Sequence, residues 1–201
     1  MDYDLIAASL AGDGYIILTD FLPTEITEAL YQHVTQLPKQ QFKAAGIGRQ
    51  ANRQLNQQVR NDKIHWLSSK QQCEQAYLNM MNELRQQLNQ RLFLGLFDYE
   101  AHFAHYAPES YYHRHLDAFK GQSNRILSTV FYLNQHWQQD DGGELIIYSS
   151  SDNDGDKSLC RVLPELGTMA IFLSEQFPHE VLAAKRDRYS IAGWFQVNQH
   201  G

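Results

Sequence analysis

Apolar and polar positions along the chain divide it into a helical first part and a strand-rich second part. Residues 3–11 read as a short helix ending near Gly12, and Gly14-Tyr15-Ile16-Ile17-Leu18 is a short apolar run of strand type. Pro23-Thr24 opens a second helix to about Leu37, with Thr24 as its candidate N-cap. Residues 38–65, around Gly46-Ile47-Gly48, show little periodicity. A stretch that long without regular structure is usually functional, or else a disordered insertion. Residues 69–92, rich in Gln, Glu, Leu and Met, predict a further helix, with Met80-Met81 as core packing.

From about residue 97 the period changes. Tyr99 to Tyr106 mixes aromatic residues with period-two alternation, and Leu127 to Leu133 is apolar and β-branched. Leu145-Ile146-Ile147-Tyr148 follows Gly142-Gly143, and Met169 to Leu173 and Ser190 to Val197 complete the set. Several short strands between turn signals predict a sandwich or jelly roll. Helices first and strands after predict an α+β, mainly β fold with the helices packed on one sheet. One domain over 1–201 is expected, with helical support to about 95 and a β core from about 97 to 198. Asp152, Asp154 and Asp156 alternate as in a calcium loop, but no Glu stands at the twelfth position, so a solvated turn is the better reading.

Composition narrows the function. The chain has 201 residues, 43% of them hydrophobic, and a net charge of −6, which excludes a disordered chain and an extended phosphate-tracking surface. No run approaches the roughly 20 apolar residues of a membrane span, and Met1-Asp2-Tyr3-Asp4 lacks a signal peptide's positive region. Cys73 and Cys160, far apart in unlike contexts, read as free thiols. These features predict a cytoplasmic protein with no membrane or nucleic-acid partner.

Two separated fragments carry candidate chemistry: His115-Leu116-Asp117, and Pro178-His179-Glu180-Val181 with Arg188 nine residues past His179. Two histidines and one carboxylate suit a non-haem Fe(II) site with open positions. By chance roughly one His-x-acid pair is expected in a chain of this composition, so the first fragment alone is weak. On a strand, His115 and Asp117 would share a face, as would His113, and His102 and His105 offer rival sets. Arg188, after a turn at Ala183 to Asp187, is expected to reach the metal region through a hairpin. Alone it reads as a surface charge; near iron, an arginine can clamp an anionic co-substrate.

Order and spacing then bring in a family. From about Tyr106 to Trp194 the chain resembles the Fe(II)- and 2-oxoglutarate-dependent dioxygenases, most of all their prolyl 4-hydroxylase branch. That branch includes the oxygen-sensing enzymes that modify hypoxia-inducible factor. The residues that carry the resemblance are Tyr112-His113-Arg114-His115-Leu116-Asp117, Asn124-Arg125, Phe131-Tyr132-Leu133-Asn134 with Trp137, and Gly142-Gly143-Glu144-Leu145. Pro178-His179-Glu180-Val181 and Arg188-Tyr189-Ser190-Ile191 leading to Trp194 complete it. Upstream, Arg60-Asn61-Asp62-Lys63-Ile64-His65-Trp66 is similar to that branch's substrate-covering loop.

The resemblance implies a double-stranded β-helix with His115, Asp117 and His179 on iron. It implies Arg188 and Tyr132 on the distal carboxylate of 2-oxoglutarate, and Tyr106 close to the iron. Arg125, Trp194, Arg60, Asp62 and Trp66 would meet substrate. Fe(II), 2-oxoglutarate, O2 and ascorbate as a stimulant are the implied cofactors. The implied partner is a proline-containing protein or peptide, with elongation factor Tu the candidate; oligomeric state is left open. Two departures stand out. Ala192 occupies a position where some members carry a Thr, and seven residues follow Trp194, so no counterpart of the animal enzymes' C-terminal helix is expected. A small-molecule hydroxylase and a non-catalytic iron or 2-oxoglutarate sensor are the alternatives. Base demethylation is disfavoured, because Trp194 stands where such enzymes carry a second arginine.

Overall fold

A computed structural model describes residues 1–46, 59–118, 123–149 and 157–198. The N-terminal elements are α1 (Tyr3–Gly12), β1 (Tyr15–Leu18), α2 (Thr24–Gln36), β2 (Lys43–Ala44), β3 (Lys63–Trp66) and α3 (Gln72–Leu92). The rest are β4 (Leu96–Tyr106), β5 (Tyr112–His115), β6 (Arg125–Tyr132), β7 (Leu145–Tyr148), β8 (Ser158–Val162), β9 (Met169–Leu173), β10 (His179–Val181) and β11 (Arg188–Val197). Strands form a seven-stranded sheet, β1-β9-β6-β11-β4-β3-β2, and a four-stranded sheet, β5-β10-β7-β8. All pairings are antiparallel.

Period-two alternation on the central strands builds two separate cores. On β11, Ile191 and Phe195 face the helices, whereas Arg188, Ser190, Ala192 and Trp194 line a pocket between the sheets. On β4, Ala101 and Phe103 face the helices while Ala104 and Tyr106 pack between the sheets. Leu30, Tyr77, Met81, Leu84 and Leu88 of α2 and α3, all fully buried, cover the outer face of the large sheet. The inner core comprises Tyr132, Leu145, Ile147, Phe172 and Val181, among others. Burial of each such side chain contributes about 1.5–3 kcal/mol.

The helices lie where the pattern put them, with one change at a cap. Thr24 is the first helical residue of α2, not its N-cap; Pro23 holds the cap position and accepts from the Ile26 and Thr27 amides through its carbonyl. Asp2 caps α1 by accepting from the Leu5 amide at 3.0 Å. Within 38–65, β2 and β3 form an edge of the large sheet, with Ile64 opposite Ala104. Their pairing partners lie far along the chain, which a local pattern does not report. β5 and β8 are also additions: both are edge strands with few fully buried residues, so apolar alternation is faint.

Arg188 does not follow a hairpin. β10 belongs to the small sheet and β11 to the large one, so residues 182–187 cross between sheets. Ile47, Gly48, Asp152, Asp154 and Asp156 lie outside the described residues. Cys73 and Cys160 are unpaired and partly buried, and burial pushes the Cys160 thiol up to about 11. No described helix is long and apolar enough to cross a membrane.

Candidate metal centre and co-substrate pocket

Register brings the two histidines together. β5 and β10 run antiparallel with His115 opposite His179, and their rings lie 4.3 Å apart. Asp117 lies in a bend just past the end of β5, so convergence comes from that bend and not from strand alternation. Its Oδ1 is 3.5 Å from His115 Nε2 and its Oδ2 3.6 Å from His179 Nε2. One ligand atom from each residue lies within 4.8 Å of the others, the one such cluster among the described residues.

Both rings are set for ligation. His115 Nδ1 donates to the His113 carbonyl at 2.8 Å, and His179 Nδ1 donates to that of Phe177 at 2.9 Å. A carbonyl can only accept, so the proton sits on Nδ1 and the Nε2 lone pair points inward. Burial, helped by His115, lowers His179 to about 4, so its ring is neutral near pH 7. Burial alone would raise Asp117, but the two histidines and the Ser128 hydrogen bond hold it well below the usual carboxylate range.

Asp117 is held from behind. Its Oδ2 accepts from Ser128 Oγ at 2.6 Å and from Trp194 Nε1 at 2.8 Å. Ser128 Oγ also meets Ser174 Oγ at 2.9 Å. Both serines are fully buried.

The rival histidines are elsewhere engaged. His105 Nε2 pairs with Asp187 at 2.6 Å and its ring stacks on Tyr189, while His113 is exposed against Tyr111. His102 lines the pocket between the rings of Trp194 and Trp66.

At the other end of the pocket Arg188 is 1% exposed. Its Nε donates to the Gly143 carbonyl at 2.8 Å, and its Nη1 lies 3.5 Å from Ser190 Oγ. Its Nη2 and the Tyr132 hydroxyl are buried and have no hydrogen-bond partner among the described residues. Arg188 Cζ lies 5.1 Å from the Tyr132 ring centre and 5.0 Å from that of Tyr106. Leaving such donors buried and unsatisfied is costly, so the pair calls for an acceptor. A carboxylate meets that need, and its charge matches the guanidinium. The residues present therefore fit the two groups the sequence implied: a metal on His115, Asp117 and His179, and a diacid reaching from it to Arg188.

The remaining sequence candidates sit nearer the mouth. Arg60 lines the pocket, binds Asp62 bidentately at 2.7 and 2.6 Å, and stacks over Tyr112. Arg125 lies 3.7 Å above the Trp194 ring and donates to Glu100 at 2.7 Å. Trp194 does more than line the entrance, since it binds Asp117. Trp66 is 47% exposed and does not border the pocket, touching it through His102. Tyr112 and Ser190 stand within the sequence motifs but were given no role there, and sequence reading passed over Ser128 and Ser174. Its available signal was hydroxyls inside otherwise apolar strands, as in Ile126-Leu127-Ser128-Thr129-Val130.

Fold and site define a metal-dependent oxygenase of the jelly-roll type, and comparison with known proteins agrees. The profile of the 2OG-Fe(II) oxygenase superfamily matches residues 101–196. A prolyl-4-hydroxylase from Pseudomonas putida superposes with a TM-score of 0.87 at 35% identity, covering 98% of this chain and 100% of that one. A prolyl hydroxylase from Trichoplax adhaerens, solved with a hypoxia inducible factor oxygen degradation domain peptide fragment, gives 0.83 at 26% identity. That match covers 96% of this chain and 88% of the other. Human Egl nine homolog 1 is 28% identical over 192 residues, covering 90% of this chain. The chain spans 43% of that relative's length.

The chain belongs to the 2OG-Fe(II) oxygenase superfamily. It is a 2-oxoglutarate-dependent dioxygenase, using Fe(II), 2-oxoglutarate and O2, and within the family it is prolyl-hydroxylase-like.

Proposed function

We propose that the chain acts as one oxygenase domain in the cytoplasm and hydroxylates a prolyl residue of a protein or peptide. A loop proline of elongation factor Tu is the candidate target. The observation that carries the reading is the buried Arg188 Nη2, without a partner among the described residues, in the pocket that also holds the His115, Asp117 and His179 cluster, with the Tyr132 ring beside the guanidinium. Bound iron, 2-oxoglutarate and oxygen supply the oxidising power, released as the 2-oxo acid loses carbon dioxide to give succinate. The protein's part is to hold and to shield.

Asp117 and the two neutral imidazoles bind metal and leave outward positions open. Arg188 and Tyr132 grip the far carboxylate, which fixes the diacid's direction. Asp117 at −1 and the diacid at −2 balance the metal and Arg188, so the filled site is neutral and cheaper to enclose. Val130, Leu145 and Val181 line the pocket with apolar surface that keeps water out. Arg60, Arg125 and Trp194 lie where a substrate chain would approach, with Asp62 buried behind Arg60 and Trp66 set back behind His102. The peptide held by the Trichoplax enzyme supports a polypeptide substrate.

The test is mass spectrometry of purified elongation factor Tu, and of a cell extract, after incubation with protein, Fe(II), ascorbate and 2-oxoglutarate. An Asp117→Ala variant is the control. A one-oxygen gain on a proline that requires Asp117 is expected. Succinate formed without any protein gain would point to a small-molecule substrate. Neither signal from iron-loaded protein would point to a sensor.

A further inference from the structure

The two candidate histidine ligands are supported in different ways. His179 is backed by the core: the edge of its ring meets Phe172 at 4.8 Å, and Phe172 is fully buried between the sheets. His115 is backed by Tyr112, whose ring stacks face to face with it at 3.5 Å and 13°. Arg60 Cζ lies 4.3 Å from the centre of the same Tyr112 ring. Two groups that close to one ring centre must occupy opposite faces, so Tyr112 is sandwiched between Arg60 and His115.

Arg60 is fixed in turn. Asp62, whose side chain is 0% exposed, holds its guanidinium through two hydrogen bonds. The backbone adds to this. His113 N donates to Val59 O at 2.9 Å, Asn61 N to Tyr111 O at 3.3 Å, and Tyr111 N to Asn61 Oδ1 at 2.8 Å. Residues 59–61 thus pair along the open edge of the small sheet, and the chain then enters β3 on the large sheet. One ligand leans on the core; the other leans on a segment stapled across the mouth.

We propose that Tyr112 is a positioning residue through which segment 59–62 and a divalent metal bind cooperatively. This rests on the reading of His115 as a metal ligand. Stacking restricts the tilt of the His115 ring, while the bond to the His113 carbonyl restricts its rotation. Metal capture needs both, because an imidazole lone pair is directional. Coupling of this kind is reciprocal, so a metal that fixes His115 also firms the segment that braces it. Arg60 would repel a cation by itself, but Asp62 cancels its charge, which leaves the stack as the channel of coupling.

The probe is Mn(II), titrated against the purified chain and followed by electron paramagnetic resonance, with no turnover required. Tyr112→Ala should weaken Mn(II) binding by about tenfold or more, and Tyr112→Phe, which keeps the ring, should restore it. The double variant Arg60→Met/Asp62→Asn keeps the net charge. It should weaken Mn(II) binding in the parent and add nothing in the Tyr112→Ala background. In the unmodified protein, Mn(II) should slow hydrogen exchange at the Asn61 and His113 amides.

Three results would overturn the proposal: Tyr112→Ala binding Mn(II) like the parent, additive effects of the two changes, or unchanged exchange at those amides. The exchange arm stands even if a variant does not fold. Parent protein that binds no Mn(II), or a His115→Ala variant that binds it normally, would instead remove the ligand reading underneath.

Discussion

Two hydrogen bonds to one oxygen of Asp117, from Ser128 and Trp194, leave its other oxygen for a metal. Ser128→Ala should therefore loosen Mn(II) binding by about tenfold, measured by titration, with the fold retained because only a hydroxyl is lost. Arg188→Lys keeps the charge but replaces a planar fork with a point donor. We expect the apparent KM for 2-oxoglutarate, read from succinate release, to rise by at least about tenfold as a charge-assisted bond is lost. The site also titrates. His179 sits at about 4 when folded against an ordinary 6.5, first through burial and then through His115. Between those values the unfolded chain binds a proton that the folded one refuses, so metal-free protein loses stability as pH falls across that window, by roughly 3 kcal/mol. Asp117, depressed when folded, adds loss in the same direction below the ordinary carboxylate range. Thermal melts of metal-free protein at pH 6.5 and 4.5 should separate clearly, and His179→Gln should narrow the gap.

Among the elements, β11 carries the most. It pairs with β4 on one side and β6 on the other, presenting the pocket on one face and the helix-backed core on the other. At its middle, a Cβ on Gly193 would meet the Tyr99 hydroxyl at 2.3 Å and the Ala101 Cβ at 3.0 Å. Tyr99 is not free to yield, since its hydroxyl bonds both Thr129 and Tyr77. Gly193→Ala should cost about 1–3 kcal/mol in urea unfolding by overpacking, and more if the hydroxyl network breaks. This strand was legible from sequence because both its faces are demanding: apolar residues alternate with Arg188, Ser190 and Trp194. β2, β3, β5 and β8 were not, because short strands at or next to a sheet edge bury little and so carry little pattern. The turn at 183–187 was visible, but not its crossing between sheets, since sheet membership depends on partners distant in sequence.

For the molecule as a whole, a helix-backed sheet facing a smaller one could be inferred from helices preceding strands. The ligands were legible through order and spacing taken together: His115, Asp117, His179 and Arg188 come from three places in the chain. Their braces, Ser174 and Tyr112 among them, announce themselves only once the sheets are closed. A pocket that holds unsatisfied donors should tighten when filled. Mn(II) with 2-oxoglutarate should raise the melting temperature above that with Mn(II) alone, and Arg188→Lys should reduce the increment.

Arg188 and Trp194 stand six residues apart on one strand, and Trp194 fixes the carboxylate beside which a metal would sit. A strand held on both sides cannot stretch, so the sheet, and not the ligand, sets how far the Arg188 guanidinium lies from that carboxylate. We expect this fixed separation to select chain length in the co-substrate. A 2-oxo diacid one carbon longer would have to buckle or push Arg188 off the Gly143 carbonyl, and its decarboxylation should fall far below that of the five-carbon acid.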